Sequence, residues 1–195
     1  QKVQYLSRLY FNELLYGSEH PYGVRLDSGD FDRVYQADLV DYHQTYYPPG
    51  NAFCIVAGKI PPDIAPLLNQ TLGSTQWAGR PPIPGPKYGL HSAAERKMLV
   101  EKPDAIQSAI RIGRRLFNRT HPDYHPLMIA NALLGGFFGS RLMQNIRQDK
   151  GYTYGARSSL SSDRLIGRFT ASTEVRNSVT DSTVVEILGE MQRLI

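Results

Sequence analysis

The chain has one cysteine, Cys54, and one tryptophan in 195 residues. A single thiol excludes an internal disulfide framework and any zinc cluster built on several thiolates. No apolar run approaches the roughly 18 residues that a membrane-crossing helix needs, so no membrane span is expected. No Ser/His/Asp or Cys/His arrangement can be traced, and the carboxylates show no spacing that marks an acid/base pair. On first principles the chain holds no complete catalytic set. What it does hold is ordinary: 41% hydrophobic and 21% charged residues, with a net charge of +4. Such a chain is globular and long enough for a real core, and its mild basicity is weak evidence for a nucleic-acid partner.

The charge is unevenly spread. Residues 1–75 carry five basic and eight acidic side chains, and residues 76–195 carry seventeen and ten. The basic part is either a solvated surface or a face that meets an anionic partner or the acidic part of a larger protein. Both ends read as helix: Gln1–Leu6 as interior, and Glu190–Ile195 with no glycine cap after it. That pattern leads to the expectation of a piece of a longer protein.

Periodicity places a helix over 2–16, with Val3, Leu6, Leu9, Tyr10, Leu14 and Leu15 on a stripe and Gly17 ending it. Further helices are expected over 35–47 and from Pro61 to about Leu72. The run Ala52–Ala57 reads as a buried strand, with Cys54 as a small core residue. Four prolines in 73–94 (Pro81, Pro82, Pro84, Pro86) mark a linker. The division is then 1–75, a linker over 76–94, and 95–195. The last piece reads β-β-α-α-β-β-α. Its strands are Lys97–Glu101, Ile106–Ile112, Tyr152–Leu160 and Ile166–Glu174. Its helices start at Pro122, at Arg141 behind a Ser140 cap, and at about Ser178. The expected fold is α+β: a two-layer sandwich of a largely antiparallel sheet with helices packed on one face.

Several motifs carry more than one meaning. His121 and His125 stand four apart, a metal-compatible spacing on a helix, but Pro122 starts the helix between them and no glutamate accompanies them. Gly135-Gly136-Phe137-Phe138-Gly139 lacks both nucleotide-binding glycine signatures and fits a break that lets backbones approach closely. Arg111, Arg114, Arg115 and Arg119 form a basic patch beside Phe117 without a stacking-aromatic motif for RNA, so no nucleic-acid partner is expected. Arg147 precedes Tyr154 by seven residues across a Lys150-Gly151 corner from helix to strand. Such a corner can aim a guanidinium and a phenol, both hydrogen-bond donors, into one cleft. Equally, the two can be a surface arginine and a half-buried strand tyrosine.

The run from Leu134 to Tyr154 resembles the pitrilysin-type zinc peptidases, which include insulin-degrading enzyme and mitochondrial processing peptidase. The matching residues are Gly135, Gly136, Ser140, Arg141, Leu142, Ile146, Arg147, Gly151 and Tyr154, within a glycine-rich loop that also holds Gly139. Phe137 stands where the family commonly has a third glycine. His20-Pro21-Tyr22-Gly23 and Tyr47-Pro48-Pro49-Gly50-Asn51 are similar to the end of the family's catalytic half. Lys102-Pro103, Gln107 and Ile110 are similar to the first hairpin of its noncatalytic, inactive C-terminal half.

The family's His-x-x-Glu-His zinc motif is absent. The resemblance therefore implies a processing-peptidase-like fold in an incomplete copy, with residues 1–75 the tail of a preceding catalytic-type domain. The chain alone is expected to be inactive, with no metal of its own, and zinc is expected in the parent protein. The implied role is to clamp an extended peptide substrate, Arg147 and Tyr154 supporting the zinc site of the other half. The implied partners are that catalytic half or a partner subunit, together with the peptide. The alternative is a non-peptidase assembly or interaction subunit of the same family. An exported or periplasmic location is a family-based guess. A further expectation is that 1–75 lends helix and strand elements to the truncated copy, within one chain or by exchange in a dimer of the fragment.

Overall fold

In the computed structural model, residues 2–74, 88–89 and 96–194 are described. They fall into two compact units, one of residues 1–25 with 89–195 and the other of 26–88. The linker expected over 76–94 lies outside the described residues, apart from Tyr88 and Gly89.

The larger unit begins with α1 (Val3–Tyr16), which ends where Gly17 takes φ 86° and donates its N–H to the Glu13 carbonyl. Its last residue, Tyr16, is fully buried and stacks on His20, with Tyr22 edge-on to both rings. Burial holds the Tyr16 hydroxyl above its ordinary pKa and the His20 ring below its own.

In the smaller unit, Asp27 and Asp30 form a capping box on the short α2 (Ser28–Asp32). The helices α3 (Gln36–Tyr46) and α4 (Ile64–Thr71) fall where the periodicity puts them. The strand expected over Ala52–Ala57 does not form among the described residues. That segment joins no sheet, with Phe53 and Ile55 at 87% and 80% exposure. Cys54 is exposed rather than part of a core. An apolar run becomes a strand only where a neighbouring backbone supplies its hydrogen bonds.

Chain order in the larger unit continues with β1 (Gln107–Leu116), α5 (Tyr124–Asn131), β2 (Ala156–Ser162), β3 (Gly167–Arg176) and α6 (Thr180–Gln192). Between α5 and β2 the helical path widens into π-type turns over Ala132–Gly136 and Met143–Asp149. The sheet is antiparallel with β3 in the centre. Gln107 to Leu116 pair with Arg176 to Gly167, and Ala156 to Ser162 with Thr173 to Gly167. Met98, Leu99 and Val100, expected in a first strand, are exposed and belong to none.

Strand alternation gives the sheet two unlike faces. Ile110, Ala156, Ala171 and Val175 point to one side, where they pack with Leu134, Leu142, Ile146 and Ile187 from the π-type turns and α6. This is the α+β layering the sequence predicts, with an antiparallel sheet under helices. The helix α1 adds to it by crossing the opposite face. Ser7 accepts a hydrogen bond from Arg111 of β1, and Asn12 accepts one from Arg168 of β3. The expected loan of helix and strand elements from residues 1–75 is not made: α1 packs on the sheet, but residues 51–58 form no strand and the sheet consists of β1, β3 and β2 alone among the described residues.

Candidate functional site

The π-type turn Met143–Asp149 carries Arg147, and the turn is held at both sides. Ile146 is buried in the core beneath it. On the other side, Asn145 Nδ2 donates to Glu186 (2.9 Å) and to Glu190 (2.7 Å), both on α6. Glu190 is only 4% exposed and also accepts from Arg141 (2.8 Å) and Arg193, so its buried charge is compensated. Lys150 pairs with Glu186 at 3.0 Å. Hydrogen bonds from Asn145 and Lys150 hold the Glu186 carboxyl below its ordinary pKa, and Glu186 in turn raises Lys150. From this mount the Arg147 guanidinium carbon lies 4.7 Å from the centre of the Phe138 ring, a cation–π contact.

The chain turns at Gly151, whose φ of 62° suits glycine. Tyr152 N–H returns to the Ile146 carbonyl at 3.0 Å. Tyr154 follows on a pinned backbone. The Thr153 hydroxyl donates to the Glu174 carbonyl (2.6 Å) and accepts from Gly155 N–H (3.1 Å), while Thr173 donates to the Gly155 carbonyl (3.0 Å). The Tyr154 side chain itself is 94% exposed.

Tyr154 lines a cleft of about 460 Å³ together with Thr153, Gly155, Arg157, Arg111 and Glu174. Arg147 is not among its lining residues. The structure therefore sets the two residues on one corner but gives them different immediate neighbours, a phenyl ring and a polar cleft.

In the glycine-rich loop, Gly135 lies against β2. A Cβ there would stand 2.3 Å from the Ser158 backbone nitrogen, so the close approach requires glycine. Gly136 ends the first π-type turn, and Gly139 sits under the Phe137 ring. Ser140 is buried, and its hydroxyl has no hydrogen-bond partner among the described residues. Its carbonyl accepts from Gln144 N–H, so it opens the turn by its backbone and not by the side-chain cap that was expected. Arg141 serves the Glu190 network.

His121 stacks on Phe117 with ring centres 3.9 Å apart, and its Nδ1 accepts from Asp123 N–H. Among the described residues no group of three or more His, Cys, Asp or Glu could hold a metal ion. The residues described here therefore do not fit a zinc site. Nor is any described helix long and apolar enough to cross a membrane. Sequence reasoning missed the Thr153 and Thr173 pins and the Asn145–Glu186–Glu190 network. Their only local signal is a threonine beside the tyrosine.

The family model described as the peptidase M16 inactive domain matches residues 33–195, and the chain belongs to that family. An uncharacterized zinc protease of Mycobacterium tuberculosis is 29% identical over 154 residues, which are 77% of this chain and 35% of that protein. One from Bacillus subtilis is 29% identical over 125 residues, 64% of this chain and 29% of its own length. The chain thus spans about a third of the relatives it matches. The crystal structure of a peptidase M16 inactive domain from Pseudomonas fluorescens superposes with a TM-score of 0.83 at 25% identity. It covers 99% of this chain and 47% of that one. A protease from Helicobacter pylori shares the fold, with a TM-score of 0.83 at 18% identity, over 96% of this chain and 46% of its own.

Proposed function

We propose that this chain is the noncatalytic part of a two-half zinc endopeptidase, in which it clamps an extended peptide and offers Arg147 and Tyr154 to the reaction centre of the other half. In this reading residues 1–75 are the tail of the preceding catalytic-type domain. Zinc, held outside the described residues, supplies the activation of water, and this chain's residues act on the peptide. The Tyr154 hydroxyl donates to the carbonyl oxygen as charge develops there. Arg147 holds the substrate backbone by directed N–H donors. The supporting observation is the bare Tyr154 side chain on a backbone pinned by Thr153 and Thr173.

The test uses the complete parent protein. Tyr154→Phe should lower kcat about 100-fold, the usual loss for one donor to a developing oxyanion, and Arg147→Ala should lower kcat/KM through lost hold on the substrate, each with bound zinc unchanged. Full turnover in both variants removes the pair from the mechanism and leaves the second reading, an assembly subunit of the same family.

A further inference from the structure

The face of the sheet under α1 is unusually cationic for a covered surface. Arg111 on β1 and Arg157 on β2 line the same cleft as Tyr154. Arg168 on β3 and Arg8 on α1 are close enough for their charges to act on Arg111. The charges that act on Arg111 are thus three guanidiniums and one carboxylate, Glu174. Among the described residues none of these four arginines forms an ion pair. Arg111 is half-buried and anchored through its Nε, which donates to Ser7 at 3.2 Å. Its pKa is lowered first by burial and then by Arg8, Arg157 and Arg168. Arg111 and Arg157 share one cleft with like charges, and an anion between them relieves their repulsion. The fork of each guanidinium matches a carboxylate in shape.

We infer that this cleft, lined by Arg111, Arg157 and Tyr154, is a binding subsite for a carboxylate of the peptide substrate. The inference rests on the clamp reading above and adds to it a chemical preference. Because Tyr154 borders the subsite, the acidic group sits within a few residues of the bond being cut. Glu174 on the cleft wall disfavours a second negative charge, so the subsite takes a single carboxylate. That carboxylate is either an Asp or Glu side chain or the peptide's own C-terminus.

The test is fluorescence anisotropy on the full chain with labelled extended peptides. One has an internal Glu and an amidated end, one replaces that Glu by Gln, and a third is the Gln peptide with a free C-terminus. The expected result is about tenfold tighter binding of a carboxylate-bearing peptide than of the amidated Gln peptide. The preference should weaken with added salt and disappear in Arg157→Gln. Preference for the Glu peptide assigns the subsite to a side chain, and preference for the free acid assigns it to a chain end. If all three peptides bind alike in the unmodified chain, the carboxylate subsite is overturned and the clamp stands. If none binds, both fall. The comparison among peptides needs no variant, so a misfolded Arg157→Gln does not spoil it.

Discussion

The two faces of one three-stranded sheet differ more than any two elements of the chain. On the side of α6, Ile110, Ala156, Ala171 and Val175 close a dry core with Leu134, Leu142, Ile146 and Ile187. On the side of α1, their sequence neighbours Arg111, Arg157 and Ser172 line a polar cleft. Alternate residues of the same strands therefore differ in character, apolar on the core face and charged or polar on the other, while Ile110 and Ala156 of the core face also border the cleft. Stability and recognition are thus coupled at Ile110 and Ala156 and separable at Ile187 and Arg157.

Three changes sharpen that contrast. On the core face, Ile187→Ala removes a fully buried side chain and should cost about 2–5 kcal/mol in a denaturant titration. On the same face, Gly135→Ala forces a Cβ against the Ser158 backbone and should cost about 1–3 kcal/mol by thermal unfolding. A cost near zero at either position would mean that the packing is looser than described. The smallest effect concerns pH. The Glu186 carboxyl is held below its ordinary value of 4.5, chiefly by Asn145 and then by Lys150. A depressed carboxyl contributes stability that is present above the ordinary value and lost as pH falls through the folded one. Acid unfolding below about pH 4.5 should therefore be shallower in Glu186→Gln. An identical acid limb would show that the α6 contact does not hold the Arg147 turn.

Much of this was legible from residue order, and the failures have a common cause. The helices α1, α3 and α4, the β2–β3 hairpin and the α+β layering follow from periodicity and from Gly17 and Pro61, signals carried within a few residues. The strands expected at Ala52–Ala57 and Lys97–Glu101 fail because a strand exists only against a partner. The arginines are instructive. Sequence spacing groups Arg111 with Arg114, Arg115 and Arg119. Strand alternation instead sends Arg114 to the other side of β1 from Arg111. The companions of Arg111 in the cleft and around it, Arg157 and Arg168, lie more than forty residues away and arrive through strand register. The Arg147–Gly151–Tyr154 corner was found by its motif, but the threonines that fix the tyrosine act across strands and leave little local trace.

The pinned corner at Thr153–Gly155 has a thermodynamic consequence. A peptide that meets Tyr154 has no loop to organise, because hydrogen bonds to β3 already hold the backbone on both sides of the ring. What remains to be frozen is rotation about two side-chain bonds and the turn of a hydroxyl. Ordering a short loop costs roughly 1–2 kcal/mol for each residue, whereas two torsions cost a fraction of that. In the clamp proposed above, the phenol would therefore release one peptide and engage the next with little entropy to recover.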